Sequence, residues 1–213
     1  MPSEFPTLRN LTLTGSHVRL EPIGLDHVDD LLAAAAADPS LYQWTVVPQT
    51  QEGMRAYVAT AMALHEAGTG LAFATVRVAD GTVVGATRYF DMERWNWPAG
   101  HARHGNPHPD VCEIGYTWLT RSAIRTAANT EAKLLMLGHA FKVWQMVRVC
   151  LHTDARNAQS RAAMERIGCK FEGILRSHRM ASDFIPRDSA RYSIVAAEWP
   201  QAKQRLMEMV GSR

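Results

Sequence analysis

The chain has 213 residues, 23 Lys+Arg against 21 Asp+Glu, a formal net charge of +2, and 46% hydrophobic against 21% charged residues. That balance is globular: it excludes a disordered or collagen-like chain and a broad basic face for nucleic acid. No apolar run approaches the roughly 18 residues that a membrane span needs, and MPSEFPTLRN lacks a basic segment leading into an apolar one. Three separated cysteines, Cys112, Cys150 and Cys169, form no CxxC pair. They suit buried thiols in a reducing cytoplasm better than a disulfide framework. One cytoplasmic domain over 1–213 is expected, with 1–14 as an N-terminal extension and 93–109 as an inserted loop.

In chain order, Val18, Leu20 and Pro22 alternate with polar neighbours and predict a strand over 16–23. Asp26 is expected to cap a helix that carries Asp29 and Asp30 in its first turn and Val28, Leu31, Leu32 and Ala35 on one face. After Thr50, the spacing of Met54, Tyr57, Val58, Ala61 and His65 predicts a second helix. Segments 71–78 and 82–91 read as a hairpin around a two-residue Asp80-Gly81 turn. Segment 93–109 is rich in Pro, Gly and His and reads as a long loop. A strand over 111–120, a helix over 131–144 and a strand over 147–153 follow. Asn157 opens a helix that stops at Gly168. Segments 170–180 and 191–197 read as an antiparallel pair, and 199–210 as a helix with Pro200 in its first turn. The order predicts a mixed α/β sheet with helices on both faces.

The segment 111–131 is strand, short loop, helix. A helix that begins directly after a strand presents unpaired N–H groups and the positive end of its dipole, which suits an anion. Ala127 and Ala128 would let a ligand approach the backbone, and Arg125 adds a positive charge. The alternative is that Asn129 or Thr130 merely caps a packed helix.

EIGYTWL (113–119), NTEAKLLML (129–137), TDARNAQSRAAMERIGC (153–169) and FEGILRSH (171–178) occur in this order. Together they resemble the GNAT superfamily, and within it the RimJ/RimL-like acyl-CoA N-acyltransferases, over nearly the whole chain. The resemblance implies an α/β fold with a mostly antiparallel mixed sheet and splayed central strands. It also implies acetyl-CoA as co-substrate, no metal, and direct transfer of the acetyl group to a primary amine in a ternary complex. The family cradles the pyrophosphate on a Gln/Arg-x-x-Gly-x-Gly/Ala loop; here the matching residues are Ile124-Arg125-Thr126-Ala127-Ala128-Asn129. The cofactor-binding residues implied are therefore Arg125, Ala127, Ala128, Asn129 and Thr130. Trp118 or Leu119 would face the thioester with a backbone N–H, and Asn157 would contact the pantetheine arm. Core packing for Trp118 and Leu119, and helix capping for Asn157, are the plainer alternatives.

Many superfamily members protonate the departing thiolate with a Tyr, where this chain has Met164. The RimL-like pattern puts a Ser early in that helix, and Ser160 matches it, although Ser160 also suits the helix start. Glu113 is the carboxylate candidate for the base, with a structural salt bridge as its alternative; His178 acting through water, or water alone, would also serve. Trp44 is expected in the acceptor wall. His101, His104 and His108, with Asp110 and Cys112, match no metal-site spacing. Their segment reads as a polar lid in which Trp95 and Trp97 line the acceptor pocket or form a homodimer contact. The acceptor implied is a small-molecule amine or a protein N-terminus. The competing reading is a GNAT-fold binding module that has lost catalysis, suggested by Met164 and the altered glycine positions.

Overall fold

The computed structural model describes residues 11–212; the expectation for the first ten residues lies outside the described residues. Eight strands form one sheet in the order β1-β2-β3-β4-β5-β6-β8-β7. Two residues, Leu13–Thr14 (β1), pair with Val18–Pro22 (β2). A 3-10 turn at Leu25–His27 leads into helix α1 (Val28–Ala36), and α2 follows at Gln51–Glu66. Strands β3 (Leu71–Arg77), β4 (Val83–Glu93) and β5 (Val111–Leu119) continue the antiparallel sheet. Helix α3 (Ala128–Lys142) crosses over to β6 (Arg148–Asp154), which pairs with β5 in parallel. Helix α4 (Ala158–Arg166), β7 (Lys170–Met180), β8 (Pro186–Val195) and α5 (Trp199–Gly211) complete the chain. The mixed, mostly antiparallel α/β sheet expected from the sequence is the one observed.

Local chemistry explains most boundaries. Thr50 caps α2, its Oγ1 accepting from Gly53 N at 3.1 Å, and Gly168 ends the α4 region at φ 96°. Asp26, by contrast, caps nothing. Gly24 holds the N-cap of the 3-10 turn and Asp26 lies within it. The β3–β4 hairpin is present but its turn is longer than two residues: Arg77 N–H donates to Thr82 O and Gly81, at φ 72°, to Arg77 O. Helix α3 starts at Ala128 rather than 131, and β8 starts at Pro186 and slots between β6 and β7. Two-residue β1 is too short to announce itself by alternation.

Each sheet face carries its own core. Tyr89, Met136, Leu137, Trp144, Ile194 and Leu206 fill the layer under α3 and α5, where Tyr89 Oη donates to Met136 O at 2.6 Å. Leu31, Met54, Val58, Ala74 and Trp118 fill the layer under α1 and α2. Buried Glu131 ties α3 to the opening strand, accepting from the N–H groups of Ser16 (2.8 Å), His17 (2.6 Å) and Val18 (2.8 Å). A Cβ on Gly15 would stand 2.3 Å from that carboxylate carbon, so only glycine fits there. Among the described residues no helix is long and apolar enough to cross a membrane.

Candidate active site

The site begins with a bulge. Between the pairs Ala86↔Trp118 and Arg88↔Gly115, Tyr116 and Thr117 of β5 face Thr87 alone, and Tyr116 takes a left-handed φ of 50°. An extra residue on one strand bends it, and a bulky side chain at positive φ is held there only by its surroundings. The brace is Lys133 of α3. Its Nζ donates to Thr117 Oγ1 (2.8 Å) and Thr87 Oγ1 (3.2 Å), while those hydroxyls meet at 2.8 Å. Burial pulls the Lys133 pKa down to about 8.

β5 pairs with β6 only through Val111, Cys112 and Glu113, opposite Arg148, Val149 and Cys150. Beyond that point the strands part and a cleft of about 320 Å³ opens between the bulged half of β5, the end of β6 and α4. Trp118, Leu119, Asn129, Asn157 and Ser160 all line it, as does Trp44 from the α1–α2 loop. Arg125, Ala127, Ala128 and Thr130 lie beside it, at the β5–α3 junction. Trp118 is also a core residue, its ring edge-on to Tyr42 at 5.5 Å.

At the junction, Ala123 and Ile124 N–H donate to Thr120 O, Ala128 N–H to Thr126 Oγ1, and Glu131 N–H to Ala127 O. The N–H groups of Ala127, Asn129 and Thr130 donate to none of the described residues. Neither Asn129 nor Thr130 caps the helix; the N-cap is Ala127, without a side-chain cap. Asn129 Oδ1 and Thr130 Oγ1 are buried without partners among the described residues. Ala127 has φ −67°, so the missing glycine costs no backbone strain, and the left-handed residue of the turn is Arg125 at φ 62°. Free donors at a helix start beside an open cleft fit a pyrophosphate.

Asn157 does cap α4, its Oδ1 accepting from Ser160 N at 3.0 Å, which leaves the Ser160 hydroxyl on the cleft wall. Met164 is buried there and has no proton to give. Glu113 sits behind the wall rather than on it. Its Oε2 lies 2.8 Å from His152 Nδ1 and 3.1 Å from Arg179. His152 lines the cleft, and neither its Nδ1 nor its Nε2 makes a hydrogen bond with the described residues, although Glu113 stands close to Nδ1. The sequence reading missed His152 because it is one polar residue inside an apolar strand; the signal is its pairing with Glu113, which only the β5–β6 contact creates. His178 stands behind His152, ring centroids 5.0 Å apart, and burial lowers its pKa.

The loop after β4 does not cover this cleft. None of its residues lines it, because the loop joins β5 at Val111, the end remote from Leu119. Buried Asp110 organises the loop, accepting from Trp95 N (2.8 Å), Trp97 Nε1 (2.9 Å) and Arg103 Nε (2.8 Å). Its histidines join no metal-binding cluster among the described residues; His101 stacks on Trp97 at 4.2 Å.

A parallel pair that parts beside a helix start with free amides is the arrangement of an acyl-CoA N-acyltransferase. Residues 17–170 match the family model of the acetyltransferase (GNAT) domain. A GCN5-related N-acetyltransferase from Brucella melitensis is 28% identical, with a TM-score of 0.80 over 95% of this chain and 86% of that one. Mycobacterium smegmatis RimJ, solved with CoA-disulfide, shares the fold at 21% identity and a TM-score of 0.77, over 95% and 96%. RimL, a ribosomal L7/L12 alpha-N-protein acetyltransferase, does so at 17% and 0.73, over 87% and 94%. No curated protein matches the chain. The chain belongs to the GNAT acetyltransferase family, whose members are acyl-CoA-dependent N-acetyltransferases.

Proposed function

We propose that the protein transfers an acetyl group from acetyl-CoA to a primary amine, of a small molecule or a protein N-terminus, by direct attack in a ternary complex. The observation that carries this reading is the open β5–β6 cleft reaching Asn129 at the start of α3, where the N–H groups of Ala127, Asn129 and Thr130 donate to none of the described residues. Those amides and the cationic Arg125 would hold the pyrophosphate, with Asn157, Trp118 and Leu119 along the pantetheine path. Acetyl-CoA supplies the activated thioester whose carbonyl carbon the amine attacks and whose C–S bond breaks.

The chain's own groups handle the protons. Glu113 Oε2 stands 2.8 Å from His152 Nδ1 without an aligned hydrogen bond, and Nε2, on the other side of the ring, is the acceptor for the amine proton. Glu113 thereby acts through His152 and not as the base. Ser160 Oγ–H on the opposite wall protonates the departing thiolate and recovers its proton from water. The Lys133 brace keeps the bulged strand in place so that its backbone faces the developing oxyanion. Among the RimJ- and RimL-like neighbours, RimL acts on a ribosomal protein's N-terminus, which supports a protein N-terminus as one acceptor class.

A screen of amines with acetyl-CoA, followed by free-thiol release, tests the reading. Wild type should turn over at least one amine, and Ser160→Ala should lower its kcat by tenfold or more while costing little stability, because Asn157 keeps its cap. Absence of coenzyme A binding at millimolar ligand by calorimetry would instead favour the degenerate module.

A further inference from the structure

The cleft has an uneven charge. Its wall carries Lys133, Arg187 and the His152 imidazole but, among the described residues, no Asp or Glu. Lys133 is engaged by Thr87 and Thr117. The carboxylates close to Arg187 are matched elsewhere: Glu113 by Arg179 and His152, and Asp154 by Arg156 through bonds of 2.9 and 2.8 Å. The Arg187 guanidinium forms no hydrogen bond or ion pair with any described residue, and its Nε is shielded from solvent. Its electrostatic neighbours are Asp154, Arg179, Glu113 and Tyr116, and burial pulls its pKa below the ordinary arginine value.

Position makes this charge relevant to the acceptor. In β8, Ser189 pairs with Asp154 and Arg191 with His152. By strand alternation Arg187 therefore projects from the same sheet face as His152 and Asp154, the face covered by the Trp44 loop. A half-buried guanidinium that feels Asp154 and Glu113 only at a distance and makes no direct hydrogen bond can take up an arriving anion as a direct partner. A polyamine or polycationic antibiotic would bring a second cation against Arg187 and find no carboxylate on the wall.

We infer that Arg187 binds an anionic group on the acceptor, so that the substrate is an amine carrying a carboxylate within a few bonds, as in an amino acid or an acidic N-terminal residue. This rests on the acetyltransferase reading. The test is thiol release from acetyl-CoA with each L-amino acid paired with its carboxamide. Dipeptide amides beginning with Asp or Glu separate a side-chain from an α-carboxylate, and putrescine and spermidine serve as cationic controls. In the best pair, the carboxylate member should exceed its amide by about tenfold or more in kcat/KM, chiefly through KM. Arg187→Gln should abolish that ratio, Arg187→Lys should keep part of it, and Arg187→Glu should turn the preference toward putrescine. Equal use of amides or polyamines, a ratio that survives Arg187→Gln, or no turnover of any anionic amine would overturn the inference. Coenzyme A calorimetry on the same sample tells whether the acetyltransferase reading falls with it.

Discussion

His152 and Glu113 come from different strands and mean something only together. Alone, Glu113 reads as a base and His152 as a strand residue; in the fold the carboxylate is buried against Arg179 and the imidazole edges the cleft. His152→Gln should lower kcat by about a hundredfold, the smaller end of what a positioned base contributes. Glu113→Gln, which keeps the ring in place through a weaker contact, should fall between the two. Turnover of the three proteins at one pH reads that order, and a wild-type rate in His152→Gln would return the role to water. The Asn157 cap was recognisable beforehand because helix-start spacing is local. Arg187 was not, since its significance depends on which carboxylates are already taken.

At the scale of elements, α3 does three tasks with one turn and a half of helix. Its start brings Asn129 to the cleft, Glu131 clamps the opening strand, and Lys133 braces the β5 bulge. The brace has a pH signature. With a folded pKa of about 8 against 10.5 for the ordinary lysine, the folded and unfolded states are both protonated below pH 8. There the buried charge costs its full penalty. Between pH 8 and 10.5 the unfolded chain binds the extra proton, so stability rises with pH. Compared with Lys133→Met, wild type should gain roughly 3 kcal/mol across that window, measured as a changing gap between two urea-melting series. A constant gap would mean that Lys133 is not buried as a charge below pH 8. The bulge itself was illegible: nothing in EIGYTWL marks Tyr116 for positive φ, a conformation imposed by Thr87, Lys133 and the neighbouring strand. The long loop was read correctly as a loop and wrongly as a lid. Its composition shows irregularity, but which end of β5 it meets depends on strand direction.

At the scale of the molecule, most of the architecture was readable because hydrophobic periodicity and turn residues are local signals: Thr50, Asn157, Gly168 and Pro200 all stand where their chemistry put them. What escaped reading is long-range. Slotting β8 between β6 and β7, pairing β1 with β2, and parting β5 from β6 are decided by contacts between distant segments. The parting is also what turns a routine sheet into a site, since it leaves a cleft between two cores that are otherwise closely packed. Ala127 has an ordinary helical φ, so a side chain where the family carries glycine costs no backbone strain there.

The central claim is that the N–H groups at the start of α3 receive the diphosphate of coenzyme A, and amide shifts in ¹⁵N-labelled protein titrated with coenzyme A test it most directly. The account predicts saturable shifts largest at Ala127, Asn129 and Thr130, with smaller ones along 115–119 and at Asn157. Coenzyme A that binds while leaving those three amides unmoved would contradict it.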